Sequence, residues 1–308
     1  MLKKISIIIP SLNEGDELVK TISSINKAAK RSLYEVIVID DASDTGKWAD
    51  PPQWVKVLHN DERLGRPASV QKGVDAARYE AIIVLNARMR FTEGWIEKYL
   101  KNLNENPESL ICATCVYLNY GDDEITDDKP RKYGSTLTFY DPDAKFVVFN
   151  NHWNTAKGSA ALKEVDVCLG ASTATTRKWW DHIHGLRGLH AWGSADAFLA
   201  VKTRMAGGKC YVMTDCEIGN IFRSDYYEGE KKIKYKQHYP ASPVDTVMNK
   251  MFMIYTLLPR DKQWLVYKLK KCRGYEMALH WYANRIGEME KERQYIRSIR
   301  KRSLTFNI

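Results

Sequence analysis

The apolar positions in the first hundred residues come in short blocks rather than long runs. Ile5 to Ile9 is one block, closed by Pro10; Glu35 to Ile39, Val55 to Leu58 (behind the Pro51-Pro52 turn) and Ala81 to Leu85 are three more. Short β-branched blocks with little polar alternation predict strands buried on both faces, as in a largely parallel sheet. Between the blocks the apolar spacing changes to three and four. Leu18, Ile22 and Ile25 follow Asn13 and Glu14, while Val70, Val74 and Ala77 follow Gly65-Arg66-Pro67, so a helix is expected after the first strand and another before the fourth. Thr92 as N-cap, with Glu93 in the first turn, predicts a third helix carrying Trp95, Ile96, Tyr99 and Leu100. Strand–helix alternation with short connections predicts an α/β fold with helices on both faces of the sheet.

Polar residues gather where these strands should end. Ser11, Asn13 and Glu14 follow the first strand, Asp40, Asp41 and Asp44 the second, and Asn86 and Arg88 the fourth. In open α/β sheets ligands bind beyond the carboxyl ends of strands. Carboxylates there can accept ribose hydroxyls or the imide N–H of a base, although Asp41 is also of the type that caps turns. Asn86-Ala87-Arg88 reads either as part of such a site or as an ordinary connection.

The chain has 308 residues, 44% hydrophobic and 28% charged, which is the composition of a globular protein. No apolar run approaches the ~20 residues needed to cross a bilayer, and the run after Met1-Leu2-Lys3-Lys4 is too short for a secretion signal. A cytoplasmic protein (host cytoplasm, if viral) or one at a membrane surface is expected. Its six cysteines are then expected reduced, and Cys112-x-x-Cys115 lies in an apolar strand-like run without a matching second pair.

The net charge of +9 is concentrated late, since residues 226–308 hold 18 Lys and Arg against 8 Asp and Glu. Lys232 and Lys234 belong to a run where lysines alternate with Ile233 and Tyr235. Helices are expected over Val247–Leu258 and Tyr275–Arg297. Tyr239, Trp264, Tyr267 and Trp281 are interleaved with the charge. Basic plus aromatic suits a nucleic-acid strand, or an anionic membrane surface bearing a lipid-linked acceptor. Residues 121–161 show no period and are expected to form a flexible loop on an acceptor side, with His152 and Trp153 in it. His182-Ile183-His184 and His190 offer imidazoles but no recognisable third metal ligand.

IIIPSLNEGDEL and VIVIDDASDTG, followed by a Gly-led helix and a strand ending in a short polar motif, resemble the nucleotide-sugar half of GT-A fold glycosyltransferases, especially family 2. Gly188 to Arg223 is similar to the WGGEN…R…GG…GH.FR segment of polypeptide N-acetylgalactosaminyltransferases and their bacterial relatives. The resemblance covers roughly residues 5–225. It implies a GT-A domain over 1–225, followed by a basic helical extension over 226–308. It implies a nucleotide-sugar donor, UDP-sugar first. Donor contacts would come from Pro10, Asn13, Glu14, Asp40, Asp41 and Arg66. More would come from Asn86, Arg88 and Asn220, the small-residue turn Gly170-Ala171, the platform Trp192-Gly193, and Arg223. Asp196 stands where the second carboxylate of an ED pair takes the acceptor proton in inverting relatives; in the N-acetylgalactosaminyltransferase-like, retaining reading it would be a binding residue instead, and it is also of the type that caps a helix. His190 joins His152, Trp153, Lys232 and Lys234 as expected acceptor contacts.

The departures carry as much as the matches. The family holds Mn or Mg with Asp-x-Asp or Asp-x-His plus a later His, and here those places are Asn86, Arg88 and Asn220. A guanidinium cannot ligate a cation, and two amides make a poor site. The expectation is therefore transfer without a required metal, with Arg88 as the fixed cation on the departing diphosphate; the alternatives are Mn or Mg held by other residues such as Asp40 or Asp41, or an Arg88 that packs against the sheet edge. The acceptor is expected to be a hydroxyl on a polyanion such as hydroxymethylated DNA, or else on a cell-surface glycan or lipid carrier. The remaining alternative is a protein that binds sugar nucleotide or nucleic acid without catalysis.

Overall fold

The four apolar blocks form the parallel half of one sheet. The computed structural model describes residues 1–44, 51–143, 148–222, 226–228, 231–233 and 242–304. β1 (Ile5–Ser11), β2 (Tyr34–Asp40), β3 (Val55–His59) and β4 (Ala81–Leu85) run parallel in the order β4-β1-β2-β3. Pro10 does not end β1, because pairing with β2 continues through Pro10–Ile39 and Ser11–Asp40. On the other side the β4 ladder has already stopped at Ile8–Val84, so a residue without an N–H is tolerated there. Helix α1 (Asp16–Ala28) buries Leu18, Ile22 and Ile25 as the spacing predicts, each contributing about 1.5–3 kcal/mol. Helix α2 (Arg66–Asp75) has Pro67 in its first turn.

The remaining strands make the sheet mixed. β5 (Met89–Phe91), β6 (Ser109–Leu118), β7 (Arg131–Lys132), β8 (Ser135–Tyr140), β9 (Val148–Trp153), β10 (Leu162–Val165), β11 (Ser172–Thr176) and β12 (Lys209–Ile221) follow in the chain. β11 lies antiparallel between β4 and β6, and β6 runs parallel to β12. Among the described residues the full order is β10-β12-β6-β11-β4-β1-β2-β3, with β5 on β12 and β7 on β6. Between the strands lie helices α3 (Trp95–Glu105), α4 (Arg177–His182) and α5 (Ala195–Met205). The expected GT-A architecture is present.

Four details differ from the sequence reading. Helix α3 begins at Trp95 behind a left-handed Gly94, whereas the Thr92 hydroxyl donates to the Glu217 carbonyl at 3.0 Å instead of capping. Residues 121–161 are not one loop, because β8 and β9 pair antiparallel in it, with Leu137, Phe139, Val148 and Phe149 buried. The late helical stretch is divided: after α6 (Pro243–Leu257) and α7 (Leu265–Lys268), α8 (Tyr275–Asn284) and α9 (Ile286–Ile299) are separated by a non-helical Arg285.

The fourth concerns residue 225, which is no boundary in the core. Val247, Met251, Phe252, Leu265, Met289 and Ile296 join the same continuous cluster as the sheet residues. Part of the late positive charge is internal. Arg293 is 1% exposed and donates to the carbonyls of Tyr255 and Leu258, and buried Lys250 donates to those of Val148 and Phe149.

Candidate active site

The loops after β1 and β2 are stitched together at the carboxyl edge of the sheet. The Asn13 amide donates to Asp44 at 3.0 Å, the Asp44 N–H donates back to Asn13 Oδ1 at 2.7 Å, and the Asn13 N–H donates to the Ser43 hydroxyl at 2.9 Å. Asp40 accepts from Ser43 and lies 3.1 Å from His59 Nδ1. Its partly exposed carboxylate stays at the edge of this cradle. Asp41 does something else. It is fully buried, and it accepts from Asn60 Nδ2, Leu64 N–H and Gly65 N–H at 2.8–2.9 Å. It fills the turn-capping role and fixes the loop that launches α2.

The two positions after β4 also depart from expectation. Arg88 is 4% exposed, and its Nε lies 3.1 Å from Glu14 Oε2, whose side chain is equally buried. Both had been assigned to the donor. In this structure they form a buried ion pair, and the guanidinium is almost fully enclosed. Asn86 donates from Nδ2 to Asn220 Oδ1 at 3.0 Å, so these two do come together across a large sequence separation.

A second group forms around Asp196, in the first turn of α5. Its Oδ2 accepts the Gly170 N–H at 3.2 Å, and Arg66 donates to the Gly170 carbonyl at 3.0 Å. Burial pushes the Asp196 carboxyl above the usual range, opposed by the Arg66 guanidinium and by the Gly170 N–H. The Gly170 position leaves no room for a side chain, since a Cβ there would lie 1.9 Å from Asp196 Oδ1. The small residue thus makes room for this carboxylate, a reason the sequence reading had assigned to the donor sugar. Ala171, next to it, accepts the Asn86 N–H at 3.1 Å, which ties the two groups into one edge.

The approach to α5 is an unusual piece of backbone. Ala191, Gly193 and Ser194 all have positive φ, and Arg66 donates its backbone N–H to the Ala191 carbonyl at 2.9 Å. Trp192 and Gly193 are half-buried in this loop. His190 pairs with Asp245 of α6 at 3.0 Å and remains about half exposed. His152 and Trp153 are exposed at the end of β9, where Trp153 meets Phe222 with ring centroids 5.0 Å apart. Phe222 in turn stacks on Tyr117 at 4.4 Å. Arg223, Lys234 and the side chain of Lys232 lie outside the described residues. His184 is taken up by Glu292 at 3.0 Å and by stacking on Tyr295.

With the fold and this edge in view, the comparisons are decisive on family. Residues 6–171 match the profile described as Glycosyl transferase family 2, which is more than half of the chain. The chain belongs to glycosyl transferase family 2. This family 2 protein is 25% identical over 242 residues to polypeptide N-acetylgalactosaminyltransferase 13 of Rattus norvegicus, covering 72% of the chain and 42% of that relative. It is 22% identical over 232 residues to polypeptide N-acetylgalactosaminyltransferase 4 of Caenorhabditis elegans, covering 72% and 38%. It therefore spans about two fifths of the length of the curated relatives it matches.

Two solved structures share the fold. GalNAc-T7, crystallised with UDP, GalNAc and Mn2+, superposes with a TM-score of 0.66 at 16% identity, covering 93% of this chain and 58% of that one. S. aureus TarS residues 1–349, in complex with UDP-GlcNAc, superposes with a TM-score of 0.54 at 12% identity, covering 96% and 88%.

The Mn2+ of GalNAc-T7 has no evident counterpart ligand set among the residues described here. The places that would supply its ligands hold two amides bonded to one another and a guanidinium already paired with Glu14. Among the described residues no group of three His, Cys, Asp or Glu could hold a metal ion. No helix among them is long and apolar enough to cross a membrane.

Sequence reasoning missed several residues that hold this edge. His59 braces Asp40, Asn60 braces Asp41, and Thr21 bonds both sides of the turn at Ala87–Met89. Asn249 was missed too, although a polar pair inside the apolar run VMNKMFMI was the signal that could have found it.

Proposed function

We propose that the protein transfers a sugar from a UDP-sugar to an acceptor hydroxyl, with Asp196 taking the acceptor proton and no divalent ion required at the departing diphosphate. One observation carries this reading: a half-buried carboxylate in the first turn of α5, its pKa raised by desolvation, joined through Gly170 to Arg66 at the carboxyl edge of the sheet. A raised pKa makes a carboxylate a stronger base, and general-base assistance contributes typically 10²–10⁴-fold. Arg66, at the N-terminus of α2, takes the role first assigned to Arg88. It is the cation beside the half-buried carboxylate, and the N-terminal end of a helix adds partial positive charge. The neutral Asn86–Asn220 pair adds amide dipoles without charge.

Release of nucleoside diphosphate from a panel of sugar nucleotides tests the reading. Wild type is expected to consume at least one UDP-sugar, and Asp196→Ala to lose transfer while folding and binding UDP. A folded wild type that releases nothing from any donor, yet binds UDP or nucleic acid, would instead support the non-catalytic alternative.

A second observation bears on the acceptor. Trp264 and Tyr267 are exposed, and Lys268 lies over the Trp264 ring at 5.5 Å, a basic aromatic surface of the kind that holds a polyanion such as hydroxymethylated DNA. Binding to DNA through several phosphates falls steeply with salt, by about 10³–10⁵ between low and moderate concentrations for 6–10 contacts. Affinity that barely moves with salt would favour a glycan or lipid-linked hydroxyl.

A further inference from the structure

The loop that delivers Asp196 is held by a residue far away in sequence. Ala191 and Ser194 adopt left-handed backbone, which costs roughly 1–2 kcal/mol for each residue carrying a Cβ. Such a bend persists only where its surroundings over-determine it. Asn249, fully buried in α6, supplies that constraint. Its Nδ2 donates to the carbonyls of His190, Trp192 and Gly193 at 2.8–3.0 Å, and its Oδ1 accepts the His190 N–H at 2.6 Å. Both ends of one amide are thus spent on three of the four residues before the Ser194 N-cap of α5. Asp245, one turn earlier on the same helix, holds the His190 ring. Lys250, the next residue, donates to the Val148 and Phe149 carbonyls of the β8–β9 hairpin. Helix α6 therefore grips both the loop leading to Asp196 and the hairpin bearing Trp153.

We propose that Asn249 is a positioning residue of the active site, acting through the 190–194 loop to hold Asp196 against Gly170. The proposal rests on the role given above to Asp196. An amide is needed because the site demands a donor for carbonyls and an acceptor for an N–H on one short side chain. Leucine has nearly the same size and neither function; aspartate keeps the acceptor and turns a negative charge on three carbonyl oxygens.

The test compares Asn249→Leu, Asn249→Asp and, as a control on the same helix, Thr256→Val, whose hydroxyl bonds to the Phe252 carbonyl one turn back. Turnover (kcat), KM for the sugar nucleotide, UDP affinity and amide hydrogen exchange over residues 188–196 are measured in each. Both Asn249 variants are expected to lose about 100-fold in kcat, as for a reacting group displaced by about 1 Å, while UDP affinity changes less than about threefold. Exchange in 188–196 is expected to accelerate selectively, and Thr256→Val to change none of these beyond global stability. An Asn249→Leu protein with wild-type kcat, or with unaltered exchange in 188–196, overturns the proposal. If Asn249→Leu does not fold, Asn249→Ser, which retains one hydroxyl, is read by the same two criteria. A wild type that turns over no donor sinks the assigned activity instead, and the exchange measurement still decides whether Asn249 holds the loop.

Discussion

Replacing Gly170 by alanine probes the site with a single methyl group. Gly170 does not need a left-handed backbone, so the substitution acts through space alone. The new Cβ would lie 1.9 Å from Asp196 Oδ1, 2.6 Å from its Cγ and 2.8 Å from Oδ2, all well inside contact distance. The carboxylate must retreat by roughly 1 Å and give up the Gly170 N–H, since heavy atoms settle no closer than about 3–3.5 Å. Overpacking of this kind costs about 1–3 kcal/mol of stability, and a shift of about 1 Å in a reacting group can cost about 100-fold in rate. The assay is transfer to acceptor measured beside UDP affinity and thermal melting. The expected result is a loss of about two decades in kcat with UDP affinity retained, and non-additivity with Asp196→Ala, which removes the atoms the methyl collides with. Gly170→Ala with full activity, in an enzyme that Asp196→Ala inactivates, would refute the account of why this residue is small.

Other expectations follow from the buried charges. Because burial raises the Asp196 pKa, the acid limb of the kcat profile should lie above the ordinary aspartate range, and a limb at that ordinary value would contradict the role. Lys202 and Lys250 are depressed to about 7 by burial, with Glu292 and Arg187 acting on the first and Cys272 on the second. Their folded pKa values lie below the unfolded ones, so the unfolded chain binds more protons between pH 7 and 10 and stability should rise with pH there. The slope is roughly 1 kcal/mol per pH unit for each lysine. Lys250→Met should flatten that rise in a melting series, and an unchanged slope would count against it. Arg88→Met should cost about 3–5 kcal/mol by stranding Glu14 in the interior, with the double change Glu14→Gln/Arg88→Met recovering much of it in denaturant unfolding. If Arg88 acts on the diphosphate, Arg88→Met would instead lower kcat with little loss of stability.

The strands, α1 and α2 were legible in sequence because burial on both faces and helical spacing are local signals. Asn86 and Asn220 were linked in sequence only through resemblance, as two replaced positions of one metal motif. Arg88 was not. Its place after a strand suggested an exposed cation, but the partner that buries it, Glu14, belongs to another loop, and no local pattern reports such a pairing. Lys250 and Arg293 misled in the same way: charge counted along a chain takes no account of which side chains turn inward to bond backbone carbonyls. The β8–β9 hairpin escaped because its strands are only six residues each and Asn150-Asn151-His152 break the alternation of the second, so the pattern was too weak to read.

The central claim, transfer without a bound divalent cation, is tested most directly by one titration. The protein is stripped with EDTA, and UDP release from its preferred sugar nucleotide is followed as Mn2+ is restored. Activity that survives EDTA and rises less than about twofold with Mn2+ is the predicted result. Activity abolished by EDTA and recovered stoichiometrically with Mn2+ would contradict it.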